Sequence, residues 1–177
     1  MADPKTLRNI YQRNVKAISL RPSVGMSTGQ TTVRLRNGTT CDVENGSWTF
    51  TADIGTEQGG NDEGPGPGVF ERAALGSCLA MGYSQWAALL EVPIDHIEVQ
   101  VESEFDARGQ FGIEEQPPGF SALRYQVTIR SPASEDEIME VIDKGDAHSP
   151  VLDDFQRPLP VDREVQIIHS TPHDDES

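Results

Sequence analysis

Two thiols and one helix-end histidine are the side chains in this sequence best suited to covalent or acid–base chemistry. Cys78 falls at helical spacing with Ala74, Leu75, Met81 and Gly82. A cysteine so placed is either a small core residue, since free cysteine is among the most buried types, or a nucleophile. The second role needs a cation from another segment, because only the thiolate attacks. Roughly three turns into its helix, Cys78 draws little from the helix dipole. Arg72, six residues earlier, points to a different face. Glu71, seven residues earlier, shares the stripe of Cys78 at two turns' distance and could orient an arginine that reaches across. Cys41 alternates with Val43 and reads as core. His148, just before Ser149-Pro150, reads as a helix-end charge or cap, with a functional role as the alternative. The cysteines and the four histidines show no metal-ligand spacing, so neither a metal nor another cofactor is expected. Gly76-Ser77-Cys78-Leu79 lacks the Gly-x-Ser-x-Gly pattern of a hydrolase elbow and lies inside a helix.

The elements that must position these residues follow from periodicity. Residues 69–91 are apolar or small almost all round, which predicts a helix buried on nearly every side. Its Ala73, Ala74, Gly76, Ser77, Ala80 and Gly82 would let another backbone come close. Residues 5–19 predict a short amphipathic helix ended by Arg21-Pro22. Residues 31–53 predict a three-stranded meander with turns at Asn37-Gly38 and Asn45-Gly46. The second turn pairs Val43 with Trp48 and Cys41 with Phe50 on one face. A three-residue first loop through Thr39, with Gly38 or a neighbour left-handed, keeps Val33 and Leu35 on that face too. Residues 97–105 and 123–130 alternate as half-buried strands, with Ile97, Val99, Val101 and Phe105, then Leu123, Tyr125, Val127 and Ile129, inward. Ser134 and Glu137 form a capping box for a second helix, and residues 161–168 predict a last strand. The order is α-βββ-α-ββ-α-β, an α+β domain without internal repeats. Residues 54–68 hold six glycines and two prolines. They form a long loop of the kind that is either functional or disordered, and its acids argue against phosphate binding.

Fourteen basic and 29 acidic residues give a net charge of −15 over 177 residues. That balance disfavours nucleic acid and anionic membranes as partners. Residues 1–22 form a basic helical arm, with Lys5, Arg8, Arg13, Lys16 and Arg21, that would dock on an acidic body, its own or that of a second subunit. Residues 23–170 form the α+β domain, and residues 171–177 an acidic, disordered tail. No apolar run is long enough to span a bilayer. No secretory signal is evident, and two dissimilar cysteines suggest no disulfide framework, so a cytoplasmic location with reduced thiols is expected.

The run from Gly66-Pro67-Gly68 through Arg72-Ala73-Ala74-Leu75-Gly76-Ser77-Cys78-Leu79-Ala80-Met81 resembles the central-helix motif of the OsmC/Ohr family. Pro93-Ile94 before an alternating strand, and His148-Ser149-Pro150 after the second helix, fit the same family. The resemblance spans roughly residues 30–168 and implies an intertwined homodimer, with curved antiparallel sheets around two long central helices. It also implies thiol peroxidase chemistry on organic hydroperoxides. In that chemistry a helix cysteine attacks, an arginine and a glutamate activate it, and a cysteine in a His-Cys-Pro segment resolves the sulfenic acid.

Cys78 matches the attacking position, but Ser149 occupies the resolving one, and the family's glutamate falls on Gly68. Arg34 or Arg36 is the nearest candidate cation, and Glu71 could replace the lost carboxylate. Two functions remain open. One is a one-cysteine peroxidase or redox-stress protein that turns over small apolar hydroperoxides and is recycled by an external thiol. The other is a non-catalytic dimer that binds a small hydrophobic ligand, with Met81, Tyr83 and Trp86 lining or supporting the pocket.

Overall fold

The structure, a computed structural model, describes residues 3–113 and 115–169. Helix α1 spans Pro4–Leu20, with Pro4 at its first turn and the Asp3 carboxylate accepting the Thr6 N–H at 3.0 Å, which satisfies an end amide. Strands β1 (Thr32–Asn37), β2 (Thr40–Asn45) and β3 (Trp48–Ala52) form one antiparallel sheet. Helix α2 runs Pro67–Leu90 and is followed by β4 (His96–Phe105), the short α3 (Ala107–Gln110) and β5 (Phe120–Arg130). Strands β4 and β5 make a second, two-stranded antiparallel sheet. Helices α4 (Glu135–Ala147) and α5 (Pro150–Gln156) complete the described elements, and the Ser134/Glu137 capping box opens α4 as the sequence predicts.

The core lies where α2 meets β4, β5 and α4. Leu75, Leu79, Tyr83 and Ala87 recur on one face of α2 and join Val92, Val141 and Leu152, backed by Val99, Val101, Leu123 and Val127. Of the small residues, Gly76 and Gly82 make the close approaches expected, whereas Ala73, Ala74 and Ser77 are exposed. A Cβ on Gly76 would lie 3.2 Å from Val101, so that glycine seats α2 on β4. On the other side, Gly82 faces the Gly145 backbone, and a Cβ on Gly145 would lie 2.4 Å from the Tyr83 ring. The bare pair therefore lets α4 close on α2. The basic arm docks on its own chain, through Tyr11 against Trp86 (ring centroids 6.0 Å apart) and an Arg8–Glu91 ion pair.

Several expectations are corrected. Within one chain α2 keeps a bare stripe through Ala73, Ser77 and Met81, with Met81 64% exposed. The Asn45-Gly46 turn is shifted by one residue. Gly46-Ser47 forms the loop, so Trp48 pairs with Asn45 and Phe50 with Val43. A hairpin shift of two residues keeps side-chain parity, so the apolar face survives the error. At the first turn Val33 pairs with Val43 and Leu35 with Cys41, on one face as expected. The device is a bulge between Leu35 and Asn37 plus a left-handed Gly38, in place of a three-residue loop. Cys41 is partly, not fully, buried. Phe105 lies beyond a register shift, is exposed, and meets the Phe120 ring edge-on. The strand expected at 161–168 is absent: residues 158–169 carry no regular secondary structure. A strand needs a neighbour for its backbone groups, and here none pairs with it. The predicted acidic tail at 171–177 lies outside the described residues.

The glycine-rich loop is organised around the buried Asp53 carboxylate. Its oxygens accept the hydroxyls of Thr39 (2.7 Å) and Thr40 (2.9 Å) and the N–H groups of Ile54 (2.8 Å), Asn61 (3.1 Å) and Glu63 (3.3 Å). Burial pushes this carboxyl up. The hydroxyl and amide hydrogen bonds outweigh burial and hold it well below the usual carboxylate range. Its contribution to stability is therefore present above the unfolded carboxylate value, about 4, and is lost as pH falls below it. Thermal melts should show wild-type stability dropping steadily in acid. Asp53→Asn should be less stable at neutral pH and flatter in acid. Parallel pH profiles for the two proteins would contradict this role for Asp53.

Candidate functional site at the Cys78–Ser149 contact

Leu75 and Leu79, both fully buried, anchor the middle of α2 and fix Cys78 between them in sequence. The opposite wall is the α4–α5 junction. Asp146, in the last turn of α4, accepts the Tyr83 hydroxyl at 2.6 Å and the Tyr125 hydroxyl at 2.8 Å. One carboxylate thus ties together α2, β5 and α4. Burial, and then the bonded Asp146 carboxylate, push both phenols up: Tyr125 to about 12, and Tyr83, the more deeply buried, further in the same direction. Both remain O–H donors across the ordinary pH range.

Three residues after Asp146, Ser149 caps α5. Its oxygen accepts the Leu152 N–H at 3.3 Å, and Pro150 stands at the first helical position. The same hydroxyl lies 3.3 Å from the Cys78 sulfur, as acceptor to the thiol or, once the sulfur is a thiolate, as donor to it. Ser149 is 5% exposed and Cys78 partly exposed, so the sulfur can be approached from one side while Ser149 supports it on the other. Among the described residues Ser149 is the side chain hydrogen-bonded to Cys78.

The other candidate residues take separate places. His148 lies beside Ser149 in the chain, but its Nδ1–H donates to the Lys144 carbonyl at 2.8 Å and its ring stacks on Trp86, centroids 4.9 Å apart. Trp86 is therefore held between Tyr11 and His148. Tyr83 is fully buried and serves the Asp146 grip, while Met81 is exposed. Arg34 bonds Glu44 at 2.6 Å, and Arg36 bonds Asp42 at 3.1 Å and Glu63 at 2.9 Å, all on the first sheet and its loop. Arg72 donates to Ser103 at 3.0 Å. Glu71 lines a cleft of about 470 Å³ between α2, the start of β5 and α5, together with Leu75, Phe120, Leu123, Leu152 and Phe155. Asp146 was missed from sequence because a lone acid in a helix's last turn carries no pattern. The capping role of Ser149, and with it α5, was also missed, although Ser-Pro before an apolar residue is a helix-start signature that could have shown both.

These features define a class: an α+β thiol protein whose central helix presents a cysteine to a second-motif segment at the start of a short helix. Residues 59–164 match the family profile described as OsmC-like protein, which is more than half of the chain. The chain belongs to the OsmC-like family. No curated protein sequence matches it. The fold resembles an OsmC-like protein from Mycoplasma pneumoniae, at 20% identity and TM-score 0.64, over 73% of this chain and 88% of that one. It also resembles the organic hydroperoxide resistance protein OsmC of Legionella pneumophila, at 13% identity and TM-score 0.55, over 72% and 88%. An organic hydroperoxide resistance protein from Elizabethkingia anophelis matches at 17% identity and TM-score 0.53, over 72% and 87%. No helix among the described residues is long and apolar enough to cross a membrane.

The Cys78–Ser149 contact makes a direct prediction. Ser149→Cys should form a disulfide with Cys78 under mild oxidation, read by peptide mapping without reductant. A variant that folds normally yet never links these two positions would show that the junction does not hold residue 149 against α2.

Proposed function

We propose that the protein is a one-cysteine, thiol-dependent hydroperoxide reductase of redox stress, acting as a homodimer, with Cys78 as the nucleophile. The observation that carries this reading is the Cys78–Ser149 pair. The thiol is partly open, and the position where the family resemblance places a resolving cysteine holds a buried hydroxyl bonded to it. The names of two structural relatives, as organic hydroperoxide resistance proteins, support the same reading.

In this mechanism the Cys78 thiolate attacks the distal oxygen of ROOH. An S–O bond forms, the O–O bond breaks, and the alkoxide takes a proton to leave as ROH. The Ser149 hydroxyl donates to the sulfur and orients it. Because Ser149 cannot form a disulfide, an external thiol attacks the sulfenic sulfur and expels water, giving a mixed disulfide. A second external thiol releases Cys78 and leaves as the oxidised disulfide. Per cycle, one ROOH and two thiols become one ROH, one disulfide and one water.

The activating cation in this reading is Arg34 or Arg36. Each is bonded to carboxylates of the first sheet and its loop, and in this reading it exchanges them to reach Cys78 from the first sheet of a second copy. Apolar surface left bare by one chain supports such a copy. It includes Met81 on α2, Trp48, Leu35 and Val33 on the first sheet, and Val161, Val165, Ile167 and Ile168 beyond α5. The alternative, a non-catalytic dimer that binds an apolar ligand, draws on the Glu71 cleft and predicts an inert Cys78.

Two measurements separate these outcomes. Reduced protein mixed with one equivalent of cumene hydroperoxide should form a sulfenic acid at Cys78, trapped by a 1,3-dione. It should form faster than on free cysteine, be abolished in Cys78→Ser, and be reversed by added thiol. Oxidation no faster than free cysteine would remove the enzymatic reading. In analytical ultracentrifugation at micromolar concentration the protein should sediment as a dimer, and a monomer would contradict the proposed assembly.

A further inference from the structure

The cleft beside the reactive pair carries one unneutralised charge. Leu75 stands three residues before Cys78 on α2, and the Leu152 N–H of α5 donates to Ser149; both leucines line the cleft with Glu71 and Phe155, although Cys78 and Ser149 themselves do not. Phe120 and Leu123 of β5 complete the apolar lining. The resulting space of about 470 Å³ is large enough for a small aryl or branched alkyl group. Glu71 is the one charged residue in its lining, and no ion pair or hydrogen bond to its carboxylate is present among the described residues. It stands two turns, about 10 Å, along α2 from Cys78. The protein around it carries a net charge of −15.

We propose that Glu71 is the specificity-determining residue of this cleft, a charge filter that admits neutral hydroperoxides and rejects those bearing a carboxylate. This rests on the peroxidase reading of Cys78. The physical basis is simple. An apolar substrate loses little on leaving water for the Leu75–Phe120–Leu152–Phe155 walls. A substrate carboxylate must in addition approach the exposed, unpaired Glu71 carboxylate, and the two like charges repel. Within one chain, among the described residues, Glu71 bonds neither the sulfur nor an arginine. Its effect falls on which molecules enter, and the bond-making steps at sulfur are unchanged.

The test compares cumene hydroperoxide with its para-carboxy analogue, which differ by one ionised group remote from the peroxide. In the wild-type protein the neutral compound should oxidise Cys78 about threefold faster, from like-charge repulsion across the cleft. The gap should narrow as ionic strength rises. Glu71→Gln should bring the two rates close together, and Glu71→Lys should invert their order. Glu71 is exposed, and an unchanged melting temperature checks that both variants fold. A second measurement is independent of chemistry: titration calorimetry with the two alcohol products, 2-phenyl-2-propanol and its para-carboxy form. Wild type should favour the neutral alcohol, and Glu71→Gln should lose the preference. If Cys78 resists oxidation by cumene hydroperoxide but the alcohols show this pattern, the peroxidase reading fails and the filter stands. Equal treatment of the two charge forms by the wild-type protein, a preference that persists in Glu71→Gln, or no binding of either alcohol would overturn the proposal.

Discussion

The close crossing of α2 and α4 is the constraint on which the site depends. Two glycines, Gly82 and Gly145, remove the side chains that would hold the helices apart, and the Tyr83 ring occupies the space where a Gly145 methyl would sit. The same tyrosine then donates to Asp146, the next residue of α4, and Tyr125 donates to the other oxygen of that carboxylate. A half-buried carboxylate with two good donors is satisfied where it stands, and moving it would leave both phenol hydroxyls without their partner. The α4–α5 junction is thereby pinned to the middle of α2, and Ser149 reaches Cys78 as a consequence. Packing, not local preference, brings together two residues 71 positions apart in sequence.

A second constraint acts on the other half of the chain. The first sheet is held to itself and to its loop by polar contacts: the Arg34 and Arg36 ion pairs and the Asp53 hydrogen-bond cage. Its apolar face is largely uncovered, with Trp48 at 76% and Leu35 at 67% exposure. The segment beyond α5 shows the same imbalance, with alternating apolar residues and no strand partner. Burial of such surface is worth about 25 cal/mol per Å², so leaving it in water forgoes stability that a second copy would recover. The bare stripe of α2 through Ala73, Ser77 and Met81 fits the same account.

How far the sequence could be read differs from element to element. Alternation placed β4 and β5 and their inward residues other than Phe105, which lies past a register shift, because two-residue periodicity is a local property of the chain. The meander face also survived, since the turn error at Asn45-Gly46 displaced Trp48 by an even number of positions. The glycine-rich loop was legible as a loop but not as an ordered one. Its order comes from Asp53 accepting groups from residues up to 14 positions away, a convergence no local pattern encodes. The strand expected at 161–168 had the right alternation, but a strand also requires an edge to pair with, and the single chain leaves that segment unpaired. At the site, Cys78 and Ser149 were both recognisable from the family resemblance. Asp146, which holds the junction in place, was not, because its meaning lies in two hydroxyls contributed by other elements.

Cys78 as a nucleophile, distinct from a packing residue, is the central claim, and its alkylation rate tests it most directly. Native, reduced protein would be treated with iodoacetamide at neutral pH and the two cysteines quantified separately by mass spectrometry. A Cys78 poised for attack should be labelled faster than free cysteine and far faster than Cys41. Labelling of Cys78 slower than free cysteine, or no faster than Cys41, would contradict the account and leave the Cys78–Ser149 contact as a feature of the core.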